Sequence, residues 1–299
     1  MQAPLQQLHS PLLDQHQVQV WVKREDLLHP AISGNKWRKL KYNLLEAKRQ
    51  QKETLLTFGG AYSNHIAATA AAGAEFGFKT IGMIRGEEHL PLNPTLRFAR
   101  EQGMELHYMT REQYRLKNEP ETVLQLAQQF QQPYILPEGG TNALAVKGCT
   151  EIVSDISIDY DYICCASGTG GTLAGIIAGL AGEKQVLGFP ALKGGAFLEE
   201  EIAQLIKDYN GQSYTNWQLV TDYHFGGYAK VKPELLTFMQ EFREQHHIPL
   251  DPVYTGKLMY GLFDLIQQGY FPAGSRIVAV HTGGLQGNAG FSERLGINV

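Results

Sequence analysis

Tyr162-Ile-Cys-Cys-Ala-Ser167-Gly168-Thr169-Gly170-Gly171-Thr172-Leu173 opens the longest uncharged run of the chain, which continues to Gly182 and spans 21 residues. That length matches a membrane span, but six glycines and several hydroxyls make its front half too polar for one. The run reads instead as a buried strand (Tyr162–Ala166), a glycine turn, and a buried helix (Thr172–Ala181). Gly168 to Thr172 offers consecutive backbone N–H groups at a helix start, with no bulky side chain in the way, which makes a ready anion site. A dinucleotide fingerprint starting at Gly168 needs glycine where Leu173 stands, and the Gly-Lys-Ser/Thr of a nucleotide P-loop is absent. The turn suits a monophosphate.

Outward from this turn, strand-like and helix-like segments alternate along the chain. Toward the N-terminus lie a strand at Gln17–Val22, a helix at Trp37–Gln50, a strand at Thr54–Phe58 and an alanine-rich helix at Ser63–Phe76 capped by Ser63. Thr80–Ile84, Pro94–Gln102, Glu105–Tyr108, Glu121–Gln131, Pro133–Leu136 and Asn142–Ile156 continue the pattern. Beyond the turn follow Val186–Phe189, Phe197–Asp208, Trp217–Val220, Pro233–His246, Lys257–Gln268 and Arg276–Val280. This alternation predicts an α/β fold with a mostly parallel sheet covered by helices on both faces. Three of the strands end alike, in Gly59-Gly60, in Gly168–Gly171 and in His281-Thr282-Gly283-Gly284. Ligands of open parallel sheets sit beyond the carboxyl ends of the strands, so three glycine turns there point to three backbones around one ligand.

Composition excludes other classes. The 299 residues include 43% hydrophobic and 19% charged residues and carry a formal net charge of −4, which suits a folded protein without a field for nucleic acid or acidic membranes. The basic cluster Lys36, Arg38, Lys39 and Lys41 is broken by apolar residues and suits a small anion. Cys149, Cys164 and Cys165 form no C-x-x-C, so neither a disulfide framework nor a cysteine zinc site is expected. The His246-His247 pair lacks common ligand spacing and is expected on a solvated helix end, which leaves no metal site. No secretory pattern opens the chain, and a soluble cytoplasmic protein is expected.

A phosphate-bearing cofactor needs a chemical partner. Ser33-Gly34-Asn35-Lys36 precedes a helix that Ser33 or Asn35 is placed to cap. Positive potential at the helix start favours a neutral amine on Lys36, the form that attacks an aldehyde to make a Schiff base. Lys39 lies one turn on, on the same face, within reach of the phosphate.

These motifs, together with Ser63-Asn64-His65 and Asp251-Pro-Val-Tyr254-Thr255-Gly-Lys257, occur in the order of a known family. The chain resembles the pyridoxal-phosphate-dependent 1-aminocyclopropane-1-carboxylate deaminase/D-cysteine desulfhydrase family, of the two-lobed tryptophan synthase β-subunit-like fold (fold type II), over about residues 20 to 290. The resemblance implies a large cofactor domain of residues 1–44 and 143–299, a small domain of residues 45–142, a cleft between them, and a homodimer. It implies that Lys36 holds the cofactor through an imine, that Asn64 bonds its phenolic oxygen, and that Lys39 with Gly168, Thr169, Gly170, Gly171 and Thr172 holds the phosphate. Ser63, with the N–H groups of Asn64 and His65, would bind the substrate carboxylate, and Lys36 or Ser63 would take the α-proton. Tyr228 and Tyr254 match two active-site tyrosines, and Thr282, with Thr255 close by, would face the pyridine nitrogen.

Three positions separate the branches of this family. Members that open the cyclopropane carry glutamate where Thr255 stands and leucine where Thr282 stands, and glutamine where His65 stands. A neutral threonine beside the ring nitrogen deepens the electron sink less than a carboxylate does, which suits expulsion of a good β-leaving group. The resemblance therefore implies a lyase of D-cysteine desulfhydrase type, acting on a small amino acid and giving pyruvate, sulfide and ammonia. A cyclopropane deaminase, a racemase or dehydratase on the same fold, and a non-catalytic cofactor-binding regulator stand as alternatives.

Overall fold

The computed structural model describes residues 2–296. Strand β1 (Leu5–Leu8), helix α1 (Pro11–Gln15) and strand β2 (Gln19–Lys23) open the chain. It continues through α2 (Asn35–Arg49), β3 (Thr54–Gly60), α3 (Asn64–Phe76), β4 (Lys79–Arg85), α4 (Pro94–Glu101), β5 (Met104–Met109), α5 (Arg111–Arg115), α6 (Pro120–Gln129) and β6 (Tyr134–Leu136). Then come α7 (Ala143–Ser154), β7 (Tyr162–Ser167), α8 (Gly171–Leu180), β8 (Gln185–Pro190), α9 (Leu198–Asn210), β9 (Trp217–Leu219), α10 (Pro233–His246), α11 (Thr255–Gln267), β10 (Arg276–Val280) and α12 (Asn288–Leu295). Pattern alone missed β1, α1, α5 and α12, which are short or lie at the ends of the chain.

Ten strands form two sheets among the described residues. The larger runs β1-β2-β10-β7-β8-β9 and the smaller β5-β4-β3-β6. Every pair is parallel except β1 with β2. Parallel strands are buried on both faces, and β7 and β10 accordingly read as near-continuous apolar runs. The small sheet takes all its strands from between Thr54 and Leu136, and the large one takes its strands from before and after that segment. A boundary between residues 44 and 45 falls inside α2. Leu40, Leu44 and Ala47 of that helix share a core with Leu55, Ala68 and Leu136 of the smaller layer.

Helices α2, α7 and α8 pack unusually close because glycines sit where they meet. A Cβ at Gly148 of α7 would lie 1.9 Å from the Arg38 carbonyl oxygen, and one at Gly175 of α8 would lie 2.3 Å from the Cys149 Cβ. The start of α2 is held differently from expectation. Its cap is Gly34, at φ 65°, with no side-chain cap bond. A Cβ there would lie 2.0 Å from the Thr282 carbonyl oxygen, which accepts from the Asn35 N–H at 3.1 Å. Tertiary closeness to the β10 turn thus replaces a local Ser33 or Asn35 cap.

Gly148→Ala should force α2 and α7 apart. Overpacking of this kind costs about 1–3 kcal/mol, and the variant's urea midpoint should fall accordingly. An unchanged midpoint would refute the close-packing account.

Candidate active site

The carboxyl ends of β3, β7 and β10 converge on one cavity of about 670 Å³. Its wall includes Lys36, Lys39, Ser63, Asn64, His65, Gly168 to Thr172, Tyr228, Tyr254 and Thr282. The three glycine turns therefore do meet around one space. Thr255 does not reach it. This residue is fully buried, its hydroxyl donates to Asp251 Oδ1 at 2.8 Å, and that hydroxyl accepts from the Asp251 N–H at 2.8 Å. The Asp251 carboxylate also accepts the N–H groups of Val253, Tyr254 and Thr255. Together they brace the turn that presents Tyr254.

The basic cluster of α2 splits in two. Arg38, 2% exposed, turns away from the cavity to a carboxylate nest: Glu25 at 2.9 and 3.1 Å, Glu151 at 3.2 Å, and Asp155. Lys41 joins the same nest through Glu151 at 2.6 Å. Lys36 and Lys39 face the cavity with no carboxylate in salt-bridge contact among the described residues. Lys36 keeps some surface open within the cavity and donates to Asn35 Oδ1 at 3.1 Å. Lys39 donates to Thr141 Oγ1 at 2.8 Å, and Thr141 meets Thr169 of the glycine turn at 2.6 Å. Asn35 Nδ2 donates to Thr172 Oγ1 at 2.7 Å, joining the starts of α2 and α8. The glycine turn thus has two partners that motif reading did not assign to it, Thr141 and Asn35, and it is preceded by Ser167, whose Oγ is buried with no hydrogen-bond partner.

Ser63 caps α3 as expected, its Oγ accepting from the N–H groups of His65 (3.2 Å) and Ile66 (3.3 Å). The His65 N–H is therefore engaged by Ser63 itself. The His65 ring is buried and its Nε2 meets Thr57 Oγ1 at 2.8 Å, while Thr57 Oγ1 donates to the Leu136 carbonyl at 3.1 Å. That chain makes Nε2–H the donor and leaves Nδ1 without a partner. Asn64 reaches across to β10's turn, where a Cβ at Gly284 (φ 93°) would lie 2.8 Å from its Nδ2. The rings of Tyr228 and Tyr254 meet edge to face with centroids 6.1 Å apart. Tyr228 is 43% exposed, at the mouth, while Tyr254 lies against Gly168.

Among the described residues no group of three or more His, Cys, Asp or Glu could hold a metal ion. His246 corrects one expectation: it is buried, 7% exposed, against the rings of Phe242 and Phe263, and only His247 is solvated. Burial rather than helix potential dominates the lysines. It lowers the Lys36 amine to about 8, and lowers Lys39 to about 7 with help from the Lys36 charge. Burial, then these two lysines, holds the His65 imidazole well below its usual range. Burial raises both cavity phenols, Tyr254 most.

A sign follows for Lys39. Below pH 7 the folded, ligand-free chain carries this charge out of water; above about pH 10.5 both states are neutral and the cost is gone. Stability from this group therefore rises with pH across that window. Lys39→Met should exceed the wild type in urea resistance at pH 6, by at most on the order of 5 kcal/mol, and the gap should close toward pH 10. A gap that stays constant with pH would overturn the assignment.

Comparison with known proteins adds an independent line. The family model for pyridoxal-phosphate dependent enzymes matches residues 2–283. A Pyrococcus furiosus protein provisionally named a 1-aminocyclopropane-1-carboxylate deaminase is 32% identical over 292 residues, covering 92% of this chain and 88% of its own. The D-cysteine desulfhydrase of Serratia proteamaculans is 30% identical, covering 94% of this chain and 91% of its own. The crystal structure of a homologue of 1-aminocyclopropane-1-carboxylate deaminase superposes with a TM-score of 0.87 at 29% identity, over 99% of this chain and 93% of that one. With its cavity at the ends of three glycine-turned strands, the chain belongs to the pyridoxal-phosphate-dependent enzymes of fold type II, in the 1-aminocyclopropane-1-carboxylate deaminase/D-cysteine desulfhydrase family.

Proposed function

We propose that this enzyme expels a β-substituent from a small amino acid, with D-cysteine plus water giving pyruvate, hydrogen sulfide and ammonia. One observation carries the reading: the Lys36 amine, with no carboxylate partner, shares a cavity with the Ser63 loop and a glycine turn flanked by a second buried lysine. The residues fit pyridoxal phosphate. The turn bears a buried, unpartnered Ser167 hydroxyl, and a side chain at Gly171 would meet Thr141 at 2.9 Å and Lys39 Cε at 3.2 Å. Lys39, Thr169 and the N–H groups of the turn are the donors that would hold a phosphate, Lys36 is the amine that would hold the aldehyde, and Asn64 is the amide for the phenolic oxygen.

Bound there, the cofactor supplies an electron sink that makes the α-proton of an amino acid acidic. Lys36, with its amine near 8, exists partly neutral at physiological pH and takes that proton at Nζ. Ser63 Oγ stands at the start of α3, where it orients the carboxylate and is the other candidate to carry the proton. His65, its Nε2 bonded to Thr57 and its backbone N–H to Ser63, supports that loop. Tyr228 and Tyr254 stay protonated at neutral pH and serve as proton donors to the leaving thiolate. Thr282 offers a neutral hydroxyl on the cavity wall. The nearby Asp251 carboxylate spends its oxygens on four N–H and O–H donors. A neutral hydroxyl at Thr282, with the Asp251 carboxylate engaged by the protein's own donors, supports β-elimination over cyclopropane opening. The names of the Pyrococcus relative and of the superposed structure favour a deaminase as the second reading.

Two lobes divided at 1–44 with 143–299 and 45–142, a homodimer, and residence in the cytoplasm belong to the same proposal. Three buried free cysteines suit a reducing compartment. No helix among the described residues is long and apolar enough to cross a membrane.

Purified enzyme is expected to release pyruvate and sulfide from D-cysteine, and to leave 1-aminocyclopropane-1-carboxylate unchanged. Lys36→Ala should abolish turnover and remove the cofactor mass from the borohydride-reduced peptide carrying residue 36. Tyr254→Phe should lower kcat about 10²–10⁴-fold. Ring opening of the cyclopropane at a rate above thiol release would reverse the substrate assignment. A cofactor mass on any other peptide would remove the mechanism.

A further inference from the structure

Lys257 is another lysine whose charge is buried, and the chemistry above leaves it unused. It is 2% exposed, in the first turn of α11, three residues beyond Tyr254. Its ammonium has three N–H donors, and it gives them to three main-chain carbonyls: Gly227 at 2.8 Å, His224 at 2.9 Å and Ala191 at 3.3 Å. No carboxylate lies in salt-bridge contact with it among the described residues. Burying a cation without a counter-ion is costly, and an apolar side chain would fill the same space at less cost. Burial accordingly lowers the amine to about 8, opposed only by the charge of Asp251.

The segment it grips needs holding. Phe225, Gly226, Gly227 and Ala229 have φ of 53°, 96°, 122° and 54°, all left-handed, and two of them are not glycine. Such residues each cost on the order of 1–3 kcal/mol and persist only where surroundings impose them. The His224 and Gly227 carbonyls already accept one loop N–H each, from Gly227 at 3.0 Å and Lys230 at 3.1 Å. Lys257 takes a second lone pair of both. On the outer side, Arg294 donates to the Ala229 carbonyl at 3.2 Å. The Ala191 N–H bonds the Ser167 carbonyl at 2.9 Å, so the third carbonyl belongs to a segment fastened to the glycine turn.

We propose that Lys257 is a positioning residue: its ammonium, clasped by three main-chain carbonyls, serves as a built-in monovalent cation that holds the Tyr228 loop against Tyr254 beside the glycine turn. The inference rests on the reading of these two tyrosines as proton donors.

The test uses the holoenzyme and D-cysteine. Misplacing a catalytic group by about 1 Å can cost 10²-fold, so Lys257→Ala should lower kcat about 10–100-fold with KM little changed. Ammonium chloride, with sodium chloride as the ionic-strength control, should restore part of that loss in the alanine variant and none in Lys257→Met, whose side chain fills the space. In a Tyr228→Phe background the same truncation should cost little more, because both changes act on one group. Losses that multiply independently, or an alanine variant with wild-type kcat, would overturn the proposal. If the alanine variant fails to fold, Lys257→Gln carries the same double-variant comparison. A second readout needs no turnover. Tryptic cleavage after Lys230 should be faster in the variant and slowed by ammonium, and equal rates would also overturn the proposal. Should the wild type act on no amino acid, the functional reading falls while the cleavage test still decides this one.

Discussion

Between Arg38 and Glu25 runs a doubly hydrogen-bonded ion pair, both partners buried, on which the orientation of α2 depends. Glu151 and Asp155 of the α7 region complete the shell around the guanidinium. Breaking a buried pair by removing one partner costs about 3–5 kcal/mol, because the other charge is left uncompensated. This energy fixes the rotation of α2 about its axis. With Arg38 turned to the carboxylates, Lys36 and Lys39 have one face left, and it is the cavity. A single cluster of four basic residues thus becomes an anchor on one side and a chemical site on the other.

The cost of that arrangement falls on the cavity lysines. Neither has a protein carboxylate in contact, and each is displaced toward neutrality by lost solvation. The same low-dielectric space keeps His65 uncharged and the two phenols protonated. A site of that composition holds amines, hydroxyls and backbone N–H groups aimed at one place, ready for an entering anion. Electrostatic preorganisation of this kind requires no reorganisation when charge develops.

Much of this was legible in the sequence where the physics is local. The uncharged run at residue 162 divided into strand, turn and helix as its glycines dictate, and Ser63 capped α3 from three residues of sequence. Reading failed where the deciding partner is distant in the chain. Gly34 caps α2 because the Thr282 carbonyl leaves no room for a side chain, a fact no window around residue 34 contains. His246 looks solvated beside His247 until Phe242 and Phe263 close over it. Thr255 belongs to a family motif, and the motif is silent on which side of the turn its hydroxyl faces. Asp251 decides that, by drawing the Thr255 hydroxyl inward while Tyr254 lines the cavity.

The same distinction separates groups that do chemistry from groups that aim them. Lys36, Ser63 and the tyrosines are recognisable because a nucleophile, a hydroxyl or a phenol announces a reaction. Arg38, Asp251 and Lys257 are charged, buried, and spent on protein partners, which in a sequence looks no different from a solvated face. Each of the three sits within three residues of a cavity side chain: Arg38 beside Lys36 and Lys39, Asp251 and Lys257 on either side of Tyr254. Burying a charge so near a reacting group restricts backbone motion more firmly than apolar packing, because a slip of one hydrogen bond leaves an unpaired ion in low dielectric. The rigidity of the cavity therefore comes from ions whose bonds go to the protein itself.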